Sequence, residues 1–66
     1  MADEVLRLPG VKRRTGLSRS SLYLRIAEGT FPKPIPLGDR AVGWLSNEVD
    51  AWVSSRVAER DQRRSA

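Results

Sequence analysis

The 66-residue sequence predicts a mainly α-helical fold with one small β-hairpin, on three observations. Helix start and stop signals occur three times along the chain, glycine or proline punctuates the joints, and "IPLGDRAVGW" sets two short extended pieces around a turn-prone tetrapeptide. The chain makes one domain over residues 1–60 with a disordered C-terminal tail at 61–66, and no repeat or linker interrupts it.

The first helix is expected at about residues 9–15. Apolar residues Val5, Leu6, Leu8, Val11 and Leu17 lead into it, Pro9 suits its first position and Gly16 suits the cap after its end. After a turn of three or four residues, Ser18 is a good N-cap for a second helix that runs to about Glu28 and is stopped by Gly29. Pro32, Pro34 and Pro36 then forbid helix and favour an extended path. Ile35 to Leu37 and Val42 to Trp44 form the hairpin around Gly38-Asp39-Arg40-Ala41, with Pro36 required to lie on an edge. Ser46 caps a third helix that ends near Arg60. Glu48 and Asp50 lie in its first turns, where they favour the helix dipole, and Val49, Trp52, Val53 and Val57 mark its buried stripe.

Composition excludes whole classes of chemistry. With no cysteine there is neither a disulfide framework nor a thiolate metal site, and with no histidine the commonest general base and metal ligand is missing. A single small core leaves little room for a large substrate pocket. The serines at 18, 20, 21, 46, 54 and 55 have no base arranged beside them in any recognisable motif, so none is read as a nucleophile and the protein is read as a non-enzyme needing no cofactor or metal. No apolar run approaches the roughly 20 residues that span a bilayer. The acidic start "MADEV" lacks the order of a signal peptide. The expected location is the cytoplasm, on the nucleoid when bound.

The formal net charge is +4, and it is unevenly placed. Residues 1–34 carry seven basic side chains against three acidic ones, whereas residues 35–66 carry five of each, so the whole excess sits in the first half. A solvated basic face accounts for such a charge as readily as a polyanion partner does, unless shape decides.

On the second helix, Leu22 and Ile26 lie four apart and share the core face. Ser20, Leu24 and Ala27 then point nearly opposite, with Tyr23 on one flank and Ser21 and Arg25 on the other. Small side chains let a helix sink into a major groove. Arg and Ser bond phosphates or base edges, Leu24 suits a thymine methyl, and the helix N-terminus offers free N–H groups for a phosphate. Two helices joined by a short glycine-containing turn make a helix-turn-helix, a pattern common among small helical proteins. The hairpin strengthens it: a wing with Arg40 at its tip gives a basic finger for the adjacent minor groove, although a turn arginine facing solvent is the bland alternative.

The run "RLPGVKRRTGLSRSSLYLRIAEGTFPKPIPLGDRAVGWLSNEVDAWVSSR", residues 7–56, resembles the AlpA family of phage-type regulators, which are similar to phage excisionases and to the DNA-binding head of MerR-type regulators. "TGLSRSSLY", "EGTFPKP", "LGDRAVGW" and "EVDAW" carry the resemblance over about three quarters of the chain. It implies a winged helix-turn-helix, three helices plus a two-stranded wing, that binds DNA near a prophage or integrated element to regulate transcription or direct excision. By position it implies a recognition helix over 18–28, with Arg19, Ser20, Tyr23 and Leu24 facing DNA, and a wing tip at Gly38 to Ala41. Members often carry a basic residue after the tyrosine, where this chain has Leu24, which puts one phosphate contact in doubt.

The expected DNA-binding set is therefore Arg14, Ser18, Arg19, Ser20, Tyr23, Leu24, Arg25, Lys33 and Arg40. Arg14 belongs to a cluster with Lys12 and Arg13 on the first helix, which crosses the backbone in such units; one or two of the three meet phosphate, and a solvated face explains the rest. Lys33 precedes the wing, near sugar and phosphate. Trp44 and Trp52 are read as core rather than as stacking platforms, and Phe31 as a pin at the helix exit. Three functions stay open: a positive transcription regulator, an excisionase-like protein that bends DNA for a recombinase, and a module whose basic face docks an acidic partner such as a phage or polymerase protein. The partner is double-stranded DNA, with RNA polymerase or a recombinase as possible further ones and no membrane. Because the apolar stripe of the third helix is needed for the domain's own core, a monomer in solution that sets copies side by side on DNA is expected.

Overall fold

In the computed structural model, residues 3–65 are described. Six elements follow one another: β1 (Val5–Leu6), α1 (Leu8–Thr15), α2 (Arg19–Glu28), β2 (Ile35–Pro36), β3 (Val42–Leu45) and α3 (Ser46–Ser65). Three helices and a small antiparallel hairpin form the winged helix-turn-helix that the sequence leads one to expect.

The helix boundaries have local causes. α1 starts at Leu8, one residue before the expected proline start, and ends where Gly16 takes a left-handed φ of 73° and returns its N–H to the Lys12 carbonyl at 2.8 Å. Ser18 N-caps α2, its hydroxyl accepting the Ser21 N–H at 3.2 Å. Gly29, at φ 81°, closes that helix.

The sheet holds more than the hairpin. β1 pairs antiparallel with β3, Val5 opposite Leu45 and Leu6 opposite Trp44, giving the strand order β1-β3-β2. Val5 and Leu6 thus serve as a strand rather than as a lead into the first helix. β2 pairs with β3 on the other side, with Ile35 opposite Gly43 and Pro36 opposite Val42, so Pro36 lies on an edge strand as its missing N–H demands. Leu37 donates its N–H to the Ala41 carbonyl at 2.8 Å and closes the wing.

Ser46 acts differently from a simple helix cap. Its hydroxyl accepts the Glu4 N–H at 3.1 Å and its own N–H donates to the Glu4 carbonyl at 2.7 Å, so it fastens β1 to the start of α3. α3 also continues past the expected stop near Arg60. Residues set aside as a tail from Asp61 are helical through Ser65, and Ala66 lies outside the described residues. Arg56 with Glu59, Glu59 with Arg63 and Arg60 with Asp61 form ion pairs along this stretch, the first two at helix-neighbour spacing that supports an exposed helix.

The core is Val11, Leu22, Phe31, Trp44 and Val49, with Leu6, Leu8, Leu17, Ile26, Val42 and Trp52 packed against it. Each helix and the inner face of the sheet contributes to it, which leaves the exposed side of α2 free. The expected stripe on α3 holds at Val49 and fades outward: Trp52 and Val53 are half-buried, and Val57 is 42% exposed because the helix has by then left the body of the domain. Among the described residues no helix is long and apolar enough to cross a membrane.

Candidate nucleic-acid interface

Leu22, wholly buried, anchors α2 in the core, and Ile26 packs beside it one turn on. The helical period then turns Arg19, Ser20, Tyr23, Leu24 and Ala27 outward, and all five are exposed. Among the described residues Leu24 is the most exposed large apolar side chain, at 60%.

Ser18, Arg19, Ser20 and Tyr23 line a shallow, open depression at the start of α2. The Ser18 and Ser20 hydroxyls lie 3.4 Å apart there. Because Ser18 satisfies only the Ser21 N–H, the other amides of the first turn remain available to an oxyanion, and the helix dipole favours one. Arg19 sits over the Tyr23 ring, 5.6 Å from its centroid. The same ring meets Trp44 edge-on, with centroids 6.4 Å apart and planes at 71°. Tyr23 thereby contacts both a cation on its own helix and a buried ring on the wing strand.

Two indoles fix the strap that joins α2 to the wing. Trp52 donates its Nε1–H to the Thr30 carbonyl at 2.6 Å, and Trp44 donates its own to the Pro32 carbonyl at 3.0 Å. Phe31, between these two anchors, packs edge-on against Trp52 at 5.0 Å. The exit from α2 towards the wing is therefore tied down by these contacts rather than left to a loose loop. Both tryptophans are structural, as the sequence suggested, and Phe31 pins the helix exit.

The remaining basic residues separate into groups. Arg40 is exposed in the wing loop and Lys33 is exposed just after the Pro32 anchor. Arg25 is half-buried, with its guanidinium 5.8 Å from the Trp52 ring centroid, on the α3 side of α2 rather than beside Ser20 and Leu24. Arg14 ion-pairs with Asp50 on α3 at 2.8 Å. Lys12 and Arg13 instead line a second shallow depression with Pro9, Gly16, Leu17 and Ser18, against the N-terminus of α2. The expected set thus comes together at Ser18, Arg19, Ser20, Tyr23 and Leu24, while Arg14 and Arg25 turn towards α3. Lys12 and Arg13, which the sequence grouped with Arg14 without distinction, are the α1 cations nearest the exposed start of α2.

Comparison with known proteins adds an independent line. The family model described as prophage CP4-57 regulatory protein (AlpA) matches residues 4–57, from the end of β1's clamp to Val57 on α3. A protein of Enterobacteria phage P4, described as uncharacterized protein ORF88, is 45% identical over 58 residues, covering 88% of this chain and 66% of its own length. The DNA-binding transcriptional activator AlpA of Escherichia coli (strain K12) is 39% identical over 61 residues, covering 83% of this chain and 87% of its own. The chain thus spans just under two thirds of the phage P4 relative.

Proposed function

The chain belongs to the AlpA family of phage-type regulatory proteins, and on that premise we propose that it is a sequence-specific DNA-binding regulator acting positively on genes of a prophage or integrated element. It works by binding and not by catalysis, in the cytoplasm, on double-stranded DNA. One observation carries this proposal above all: α2 presents Arg19, Ser20, Tyr23, Leu24 and Ala27 on a single exposed face, joined to the wing by a strap that two indole hydrogen bonds hold. A relative described as a DNA-binding transcriptional activator supports the positive sign.

In this proposal α2 enters the major groove. Ser20 and Tyr23 offer hydroxyls to base edges, and Leu24 offers an aliphatic surface to a thymine methyl. Ser18 and the first-turn amides of α2 receive a phosphate, with Arg19 beside it. Lys12 and Arg13 meet the backbone where α1 crosses it, and Arg40 and Lys33 hold the flanking sugar-phosphate chain or minor groove. Contacts to phosphates set the register of the protein on the duplex, and the face of α2 chooses the sequence.

The test is selection of bound duplexes from a randomised pool, followed by footprinting of the winner at several salt concentrations. The expected result is an enriched motif protected over a major groove, with log affinity falling against log salt with a slope of about −0.9 per phosphate contacted. No enrichment together with a flat salt response overturns the proposal.

A further inference from the structure

We propose that the outer face of the β1-β3-β2 sheet docks the α1/α3 groove of a second copy of this chain, joining copies head to tail. Strand alternation defines that face. Trp44 and Leu6 are a cross-strand pair on the core side, so the neighbouring pair Val5 and Leu45 points the other way, as do Gly43 and its partner Ile35. Leu37 follows Ile35 by two residues and shares the side. The crowding over Gly43 agrees: a Cβ there would lie 2.6 Å from Val5 Cγ1 and 2.9 Å from Leu37 Cδ1. Four aliphatic side chains, Val5, Ile35, Leu37 and Leu45, therefore cover a face on which, among the described residues, no helix packs, and Val5 and Leu37 are 43% and 42% exposed.

Charge selects the occupant. The β1 end of the face is bordered by Asp3 and Glu4, and Glu48 follows Leu45 by three residues. Among the described residues none of these three carboxylates makes an ion pair. Their complement is on the same molecule. Between α1 and α3 runs a second apolar groove, floored by Thr15, Trp52, Val53 and Val57 and rimmed by Arg14, Arg56 and Arg60. Each of these arginines has a carboxylate partner that holds it in place, and a guanidinium has five N–H donors, so donors remain for an incoming carboxylate.

The two surfaces share no residue. A contact between different patches is heterologous, and unless its rotation closes a ring it links copies in a row. The exposed aliphatic area on the sheet is on the order of 200 Å², far below the roughly 800 Å² per partner of a stable interface. Such a contact leaves the chain monomeric in dilute solution and forms when a shared scaffold raises the local concentration.

The experiment needs no DNA, so its failure is separate from failure of the proposed function. Amide shifts of ¹⁵N-labelled protein are followed on dilution from about 1 mM, where contacts of millimolar Kd are half formed. The expected shifts fall on both patches, around Val5, Leu37 and Gly43 and around Val53 and Val57. Val57→Ser, at a position already in water, reduces them several-fold without loss of fold. Glu48→Lys alone and Arg60→Glu alone abolish them, and mixing labelled Glu48→Lys with unlabelled Arg60→Glu restores them, because each altered rim then meets its opposite. Shifts absent from the wild type, shifts confined to the sheet face, or a mixture that stays silent would each overturn the inference.

Discussion

Tyr23 on α2 meets Trp44 on β3 edge-on, centroids 6.4 Å apart, which ties the exposed face of the helix to the wing through a ring that is itself wholly buried. An aromatic pair of this geometry contributes about 0.5–1.5 kcal/mol beyond its area. A double-mutant cycle of Tyr23→Ala and Trp44→Leu, read by urea denaturation, should return a coupling of that size. Trp44→Leu alone also removes the Nε1–H donated to Pro32, adding a cost of about 1 kcal/mol or more. Strict additivity would mean that Tyr23 is positioned by its own helix alone.

Reading and positioning should separate by mutation. Replacing Ser20 or Tyr23 by a side chain of different shape should change the preferred motif in a selection experiment, at roughly 1–3 kcal/mol on the best site. Arg40→Ala should weaken all duplexes by similar factors and reduce the salt slope by about one. If folded Ser20 and Tyr23 variants keep both affinity and preference while Arg40→Ala shifts preference, the wing is the reader.

The cations of α1 should divide as their surroundings do. Lys12→Ala and Arg13→Ala should each lower the magnitude of the salt slope, because these side chains flank the start of α2 without an ion-pair partner among the described residues. Arg14→Ala should leave the slope nearly unchanged. Its pair with Asp50 joins two exposed side chains, so its loss should cost only about 0.2–1 kcal/mol of stability. A large slope change for Arg14 and none for Lys12 or Arg13 would reverse the assignment.

The face of α2 was legible in the sequence because a buried helix residue fixes the direction of all its neighbours, and Leu22 with Ile26 gave that direction from spacing alone. β1 was not legible. Two residues carry no period, and Val5 becomes a strand only because Leu45, forty positions away, supplies its partner. The same long-range dependence hid the fate of Arg14, whose direction is decided by Asp50. Val57 misled for a geometric reason: helical spacing shows which side of α3 it occupies, not how far the body of the domain extends beneath it.

Leu22 and Leu24 stand two residues apart on one helix, the first fully buried and the second 60% exposed, which makes them a matched test of the whole assignment. Leu22→Ala leaves a cavity against Val11 and Trp44 in the core and should lower stability by roughly 2–5 kcal/mol, a large part of what so small a domain has. Its effect on DNA binding should follow the folded fraction and vanish when conditions restore folding. Leu24→Ala removes no core contact and improves helix propensity slightly, so stability should change by no more than about 0.5 kcal/mol. Its effect should instead fall on sequence preference, relaxing discrimination for a thymine at one position of the selected motif. Denaturation midpoints and selection profiles of the two variants check this together. A destabilised Leu24→Ala beside an unaffected Leu22→Ala would place the opposite face of α2 against the core and move the proposed interface to the other side of the helix.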